Sequence, residues 1–132
     1  MAREWILVVD DDPAMVALVS ERLEMEGYRV TTANDAEQAY IQAESLHPKL
    51  CLLDMQMPGF GTGADALKRF REHPRLVNTP VIILTGMEPA KAREMLPQDP
   101  LLQLMTKPPD WPMLMKVVAM MVKMAPGGAT PT

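Results

Sequence analysis

Two rhythms alternate along the chain: short continuous apolar runs, and segments in which apolar residues recur at helical spacing. Trp5-Ile6-Leu7-Val8-Val9 is an apolar run of strand length with no polar face, the pattern of a strand covered on both sides of its sheet. Pro13 suits the first turn of a following helix, with Asp12 as its cap. Met15, Val16, Leu18, Val19 and Leu23 supply that helix with an apolar face, and Gly27 ends it. Tyr28 to Ala33 predicts a second strand. Asn34 with Glu37 predicts a capping box for a helix bearing Ala36, Ala39, Tyr40, Ala43 and Leu46, which stops at His47-Pro48.

The pattern then repeats. Leu50-Cys51-Leu52-Leu53 predicts a third strand closed by Asp54, and a loop from Met55 to Thr62 carries Pro58, Gly59 and Gly61. A helix follows over about Gly63 to Glu72. Val81 to Leu84 predicts a fourth strand ending at Thr85-Gly86, and Glu88 to Leu96 a short helix with Pro89 in its first turn. Pro97 and Pro100 fence a loop before a weaker fifth strand, Leu101 to Thr106. The last helix runs from Trp111 to about Met124, and the closing PGGATPT reads as a frayed tail. Five strand–helix pairs of this length imply an α/β fold, a parallel sheet with helices on both faces.

Composition narrows the function classes. At 132 residues, 48% hydrophobic and 23% charged, the chain is one ordinary globular domain with a core that needs no disulfide. Cys51 is the single cysteine, and no Cys/His cluster has zinc spacing. A net charge of −4 without Lys/Arg clusters argues against direct nucleic-acid binding. The N-terminal apolar run is too short for a signal peptide, and Trp111 to Ala125 is too short and too charged to span a bilayer. Thirteen prolines and thirteen methionines are both unusually many.

In an open parallel sheet, ligands bind beyond the carboxyl ends of the strands, where the strand order reverses. A flavodoxin-like order, 2-1-3-4-5, would bring Asp10 and Asp11 at the end of strand one beside Asp54 at the end of strand three. Three carboxylates converging there would repel one another, and a hard divalent cation such as Mg2+ would relieve them. Thr85 and Lys107 follow strands four and five at the same edge, a hydroxyl and an ammonium suited to an oxyanion beside a metal. Each residue has a plainer reading: Asp10 to Asp12 as turn and cap residues, Asp54 as a turn former before a Pro/Gly loop, Thr85-Gly86 as a strand end, Lys107 as a solvated surface lysine. The joint constellation is far more specific than any member.

ILVVDDDP, LLDMQMPG, PVIILTG and TKPP, in this order and spacing, resemble the receiver domain of two-component response regulators, of the chemotaxis-regulator type. The resemblance covers about Glu4 to Met124. It implies a three-layer sandwich with five helices, a receiver domain over residues 1–125, and a disordered tail or linker start over residues 126–132. It also implies that Asp54 accepts a phosphoryl group from a histidine kinase or phosphotransfer protein. Asp10, Asp11, Asp54 and the backbone carbonyl of Gln56 would hold Mg2+, with Mn2+ as a substitute. Thr85 would be the switch hydroxyl and Lys107 the partner of the phosphoryl group. The only catalysis expected is of the chain's own phosphorylation and dephosphorylation. The setting expected is cytoplasmic, with no membrane and no direct nucleic-acid contact. The output would be a changed protein–protein surface read by a downstream effector, an output domain or a second copy of the chain.

Several positions depart from the family pattern. Gly86 stands where Ala or Ser usually follows the switch threonine, and Leu104 stands where a switch aromatic is usual. Pro97-Gln98-Asp99-Pro100 replaces the usual Gly-Ala turn, and the loop through Phe60-Gly61-Thr62-Gly63 is one residue longer. On the last helix, Leu114, Val117, Val118, Met121 and Val122 form a core stripe; Met113, Met120 and Met124 form a second one, a candidate partner face. The alternative for that stripe is a broadly buried helix. Three other functions compete: a phosphorylation-independent interaction module, an aspartate-nucleophile phosphatase and a flavin-binding domain. The missing Asp-x-Asp pair argues against the phosphatase, and the acidic first loop against the flavin reading.

Overall fold

The computed structural model describes residues 4–56 and 62–125. The elements are β1 (Trp5–Val9), α1 (Pro13–Met25), β2 (Arg29–Ala33), α2 (Ala36–Leu46), β3 (Leu50–Leu53), α3 (Gly63–Glu72), β4 (Val81–Thr85), α4 (Pro89–Glu94), β5 (Leu102–Thr106) and α5 (Trp111–Met124). The strands form one sheet of order β2-β1-β3-β4-β5, and every neighbouring pair is parallel. This is the flavodoxin-like order expected from the sequence. The Pro58, Gly59 and Gly61 loop and the 126–132 tail lie outside the described residues.

Alternate strand residues point to opposite faces, so each strand feeds two cores. Leu7, Val9, Leu53 and Ile83 pack with Ala39, Ala43, Leu67 and Phe70 on the α2–α3 side. Ile6, Val8, Leu52 and Ile82 pack with Val19, Leu23, Leu114 and Val118 on the α1–α5 side. That double covering is the reason these strands lack a polar face. No helix of the described residues is long and apolar enough to cross a membrane.

Local chemistry sets the element ends. Asp12 caps α1 by accepting from the Ala14 amide, with Pro13 in the first turn. Gly27, at φ +98, takes the left-handed turn that closes α1. Several predicted boundaries shift. The short helix expected over Glu88 to Leu96 runs only over Pro89–Glu94, because the Met95 and Leu96 amides close tighter turns onto Ala92 and Arg93. Asp35 rather than Asn34 caps α2, its carboxylate accepting from the Gln38 amide at 2.8 Å. A charged acceptor one residue nearer the helix suits the positive end of its dipole. Tyr28 stays out of β2 because its amide closes back on Leu23. Leu101 stays out of β5 because its amide donates to Asp99.

Candidate functional site

β1 and β3 are adjacent at the centre of the sheet, with Val9 opposite Leu53. The next residue of each strand is an aspartate, so Asp10 and Asp54 leave the sheet side by side at its carboxyl edge. Carboxylate oxygens of Asp10, Asp11 and Asp54 all lie within 4.8 Å of one another. Asp10 and Asp54 are buried while Asp11 is exposed. β5 supplies the cation: Lys107 Nζ lies 2.6 Å from Asp10 Oδ2 and 3.3 Å from Asp54 Oδ2.

Backbone amides hold both buried carboxylates. The Asp12 amide donates to Asp10 Oδ1 at 3.0 Å, and the Gln56 amide to Asp54 Oδ1 at 3.2 Å. Burial pushes the Asp54 carboxyl above its usual range; the Gln56 amide opposes this, Asp10 adds to it, and Lys107 pulls it back in part. Burial works against the charge of Lys107, but its hydrogen bond to Asp10 and the charges of Asp54 and Asp10 outweigh that and raise its pKa. With all three acids ionised, one ammonium leaves the cluster with a surplus of negative charge. Its side-chain donors are all oxygen, the set a hard divalent cation prefers.

Thr85 ends β4 and is fully buried, its hydroxyl accepting from the Met87 amide at 3.1 Å. The Lys107 amide donates to the Thr85 carbonyl at 2.8 Å, which ties the hydroxyl and ammonium positions together across β4 and β5. The chain thus gathers Asp10, Asp11, Asp54, Thr85 and Lys107 at one edge, with the Gln56 backbone adjoining. Leu104 lies elsewhere. It packs half-buried on the α2–α3 core and lines a groove of about 420 Å³ with Leu96, Pro97 and Leu102.

Met113, Met120 and Met124 are each about half exposed, whereas Leu114, Val118, Met121 and Val122 are buried. Val117 is only half-buried, at the margin of the core stripe. Arg22 of α1 stacks on Trp111, so one flank of α5 faces α1 and the methionine stripe lies on the other flank.

One residue of this neighbourhood has no site role in the sequence reading. Gly63 opens α3 against the backbone of Asp54 and Met55, and its amide donates to the Met55 carbonyl at 3.1 Å. The signal was a glycine inside a helix start, where Ala, Ser or Glu would form helix better.

A family model described as the response regulator receiver domain matches residues 6–119. The transcriptional regulatory protein CpxR of Escherichia coli K12 is 46% identical over 82 residues, 61% of this chain and 33% of that protein. The chain spans about a third of the length of the curated relatives it matches. Among solved structures, the receiver domain of a sensor histidine kinase from Pseudomonas aeruginosa, with a magnesium ion in its active-site cleft, superposes with a TM-score of 0.82 at 26% identity. That match covers 92% of this chain and 98% of the other. The response regulator TrrA of Thermotoga maritima, in complex with Mg2+-BeF, gives a TM-score of 0.75 at 26% identity, over 89% of this chain and 98% of the other.

Proposed function

The chain belongs to the response regulator receiver domain family, and from that membership we propose that Asp54 is its phosphoacceptor, served by Lys107, Thr85 and a divalent cation. Phosphorylation-dependent switching is typical of the family. The observation that carries the assignment is the acidic cluster itself: three carboxylates gathered within 4.8 Å, of which Asp54 has Lys107 Nζ at 3.3 Å. An oxygen of the Asp54 carboxylate attacks phosphorus on the donor, a phosphohistidine of a kinase or phosphotransfer protein. The new P–O bond forms as the donor's P–N bond breaks, and the imidazole nitrogen leaves with the electron pair. The product is an acyl phosphate on Asp54.

Phosphoryl transfer asks a protein mainly for positioning and charge neutralisation. Lys107 offers its ammonium to the transferring oxygens. Asp10, Asp11, Asp54 and the Gln56 carbonyl would hold Mg2+, which when bound neutralises the charge developing on the phosphoryl group. Because the Thr85 hydroxyl accepts from Met87, its own proton is available to a phosphoryl oxygen. Engaging it would tug on the Met87 amide and bias the loop after β4. The chain's catalysis is confined to its own phosphorylation and dephosphorylation, and its setting is cytoplasmic.

Intact mass after incubation with acetyl phosphate and Mg2+ tests the assignment. A gain of one phosphoryl group is expected, absent without metal and absent in Asp54→Asn. An Asp54→Asn protein that gains the same mass would refute it. For the output we propose the α5 stripe of Met113, Met120 and Met124, exposed and apolar, as the surface read by a downstream protein or a second copy of the chain. Met120→Lys should leave phosphorylation unchanged and weaken that association at least about tenfold, the scale of one interface residue that matters. Unchanged binding to effector and unchanged self-association would remove the stripe from the output.

A further inference from the structure

We propose that Gly63 is a positioning residue for the phosphoacceptor, present because no larger residue fits between α3 and the Asp54–Met55 peptide; this rests on the reading of Asp54 given above. A Cβ built on Gly63 would collide with the Asp54 carbonyl oxygen and lie 3.1 Å from the Asp54 carbonyl carbon and 3.2 Å from Met55 Cα. All three are backbone atoms, so no rotamer change relieves the overlap. Gly63 is not among the residues with positive φ, so its backbone does not need glycine's left-handed freedom. Space is the constraint. Gly86 shows the contrast, since a Cβ there would meet nothing within 4 Å.

The squeezed peptide matters because of what hangs from its two ends. On one side is the Asp54 side chain, with Lys107 at 3.3 Å from Oδ2. On the other is Met55, fully buried, leading to Gln56, whose amide holds Asp54 Oδ1 at 3.2 Å. α3 is tied to this peptide by one hydrogen bond, from the Gly63 amide to the Met55 carbonyl. Thr62 and Asp65 close a reciprocal cap within α3 itself, which fixes the turn that carries Gly63. A methyl at position 63 must push α3 away or rotate the Asp54–Met55 peptide. β3 is fixed between β1 and β4, so the peptide at its free end is the part able to turn. Turning it re-aims the Asp54 carboxylate and the Gln56 backbone together.

The test compares Gly63→Ala with Ala64→Gly, which weakens the same helix at the next position while adding no atom to it. Phosphorylation by acetyl phosphate at saturating Mg2+, Mg2+ affinity by calorimetry and thermal unfolding are measured on both and on the unaltered chain. Gly63→Ala should slow phosphorylation at least about tenfold, the scale of a small misplacement of reacting groups, and should weaken Mg2+ several-fold. Ala64→Gly should lose comparable thermal stability while its rate and Mg2+ affinity stay within twofold. Equal rates and affinities in Gly63→Ala and the unaltered chain would overturn the proposal, as would losses in both variants that track stability alone. Should Gly63→Ala fail to fold, Thr62→Ala, which removes the side-chain cap of the α3 turn that carries Gly63, carries the test: a several-fold slower rate supports positioning and an unchanged rate overturns it. If the unaltered chain takes no phosphoryl group, the reading of Asp54 fails, and the Mg2+ titrations still decide the role of Gly63.

Discussion

Arg71 and Asp99, beside the α4–β5 connection, and Asp10, Asp11, Asp54 and Lys107, at the carboxyl edge of the sheet, are both partly buried clusters of opposite charge. Their balance differs. Arg71 Nε meets Asp99 Oδ2 at 2.6 Å, and Arg71 Nη1 donates to the Thr79 carbonyl at 2.7 Å. The Leu101 amide donates to Asp99 Oδ1 at 2.8 Å. One cation faces one anion, and of the guanidinium nitrogens only Nη2 lacks a partner. At the sheet edge, three acids face one ammonium. The first cluster is closed by the protein and staples α3 to the two loops flanking β4 and β5. The second keeps a surplus of negative charge, and that imbalance supports the metal site proposed for it.

Breaking the closed cluster should give the largest stability change. Arg71→Met leaves Asp99 without its cation, at an expected cost of about 2–3 kcal/mol, roughly 8–10 °C in Tm. Phosphorylation should stay within twofold, because none of the sheet-edge groups is touched. A pH titration adds a signature. Burial alone would raise the Asp99 carboxyl, but the Arg71 hydrogen bond, the Leu101 amide and the Arg71 charge outweigh it and hold it below its ordinary value of 3.8. A depressed folded-state pKa contributes stability above the unfolded value and loses it as pH falls through the folded one. The gap between the unaltered chain and Asp99→Asn should therefore be full above about pH 5 and close in the acid range below 3.8. A gap that persisted there would remove the ion pair as its cause.

The open cluster should respond to what is added. On the proposed site, which only the folded chain assembles, Mg2+ at a hundred times its Kd should raise stability by about 2.7 kcal/mol. Arg71→Met should keep that increment in full, and Asp10→Asn should lose most of it. Differential scanning with and without metal reads both. An increment abolished by Arg71→Met would mean that the two clusters are coupled and the contrast between them is false.

The two clusters also differ in how far the sequence exposes them. Asp10, Asp11 and Asp54 directly follow apolar strand runs, and the strand order then brings them together; pattern and topology are enough. The bounds of β1, β3, α3 and α5 follow from the same apolar patterning. The Arg71–Asp99 pair was invisible, because it joins residues 28 apart across two loops whose course no periodicity reports. Asp10 as the shortest contact of Lys107 was equally hidden, across 97 residues. Asn34 and Asp35 are both good caps, and only the hydrogen bond to Gln38 chooses between them. The pattern around Gly63 predicts a helix start; that its missing side chain is the point depends on the backbone opposite.

The smallest effect sharpens the comparison inside the site itself. Gly86 follows Thr85 and is exposed, with nothing within 4 Å of a Cβ built on it and no positive φ. Gly86→Ala therefore narrows the unfolded ensemble without straining the folded chain, and should stabilise by about 0.4–1 kcal/mol, roughly 2–3 °C in Tm. The same methyl group that disrupts the site at position 63 should thus be welcome at position 86. Its functional effect should fall on the loop: the Met87 amide, held by the Thr85 hydroxyl at 3.1 Å, should exchange with solvent more slowly in Gly86→Ala. The phosphorylation rate should stay within twofold, because the acids and Lys107 keep their places. A lower Tm would show that the backbone at 86 does need glycine, and the contrast between the two glycines would fall. A higher Tm with unchanged Met87 exchange would leave the steric argument intact while removing the loop after β4 as a place where stiffness controls the switch.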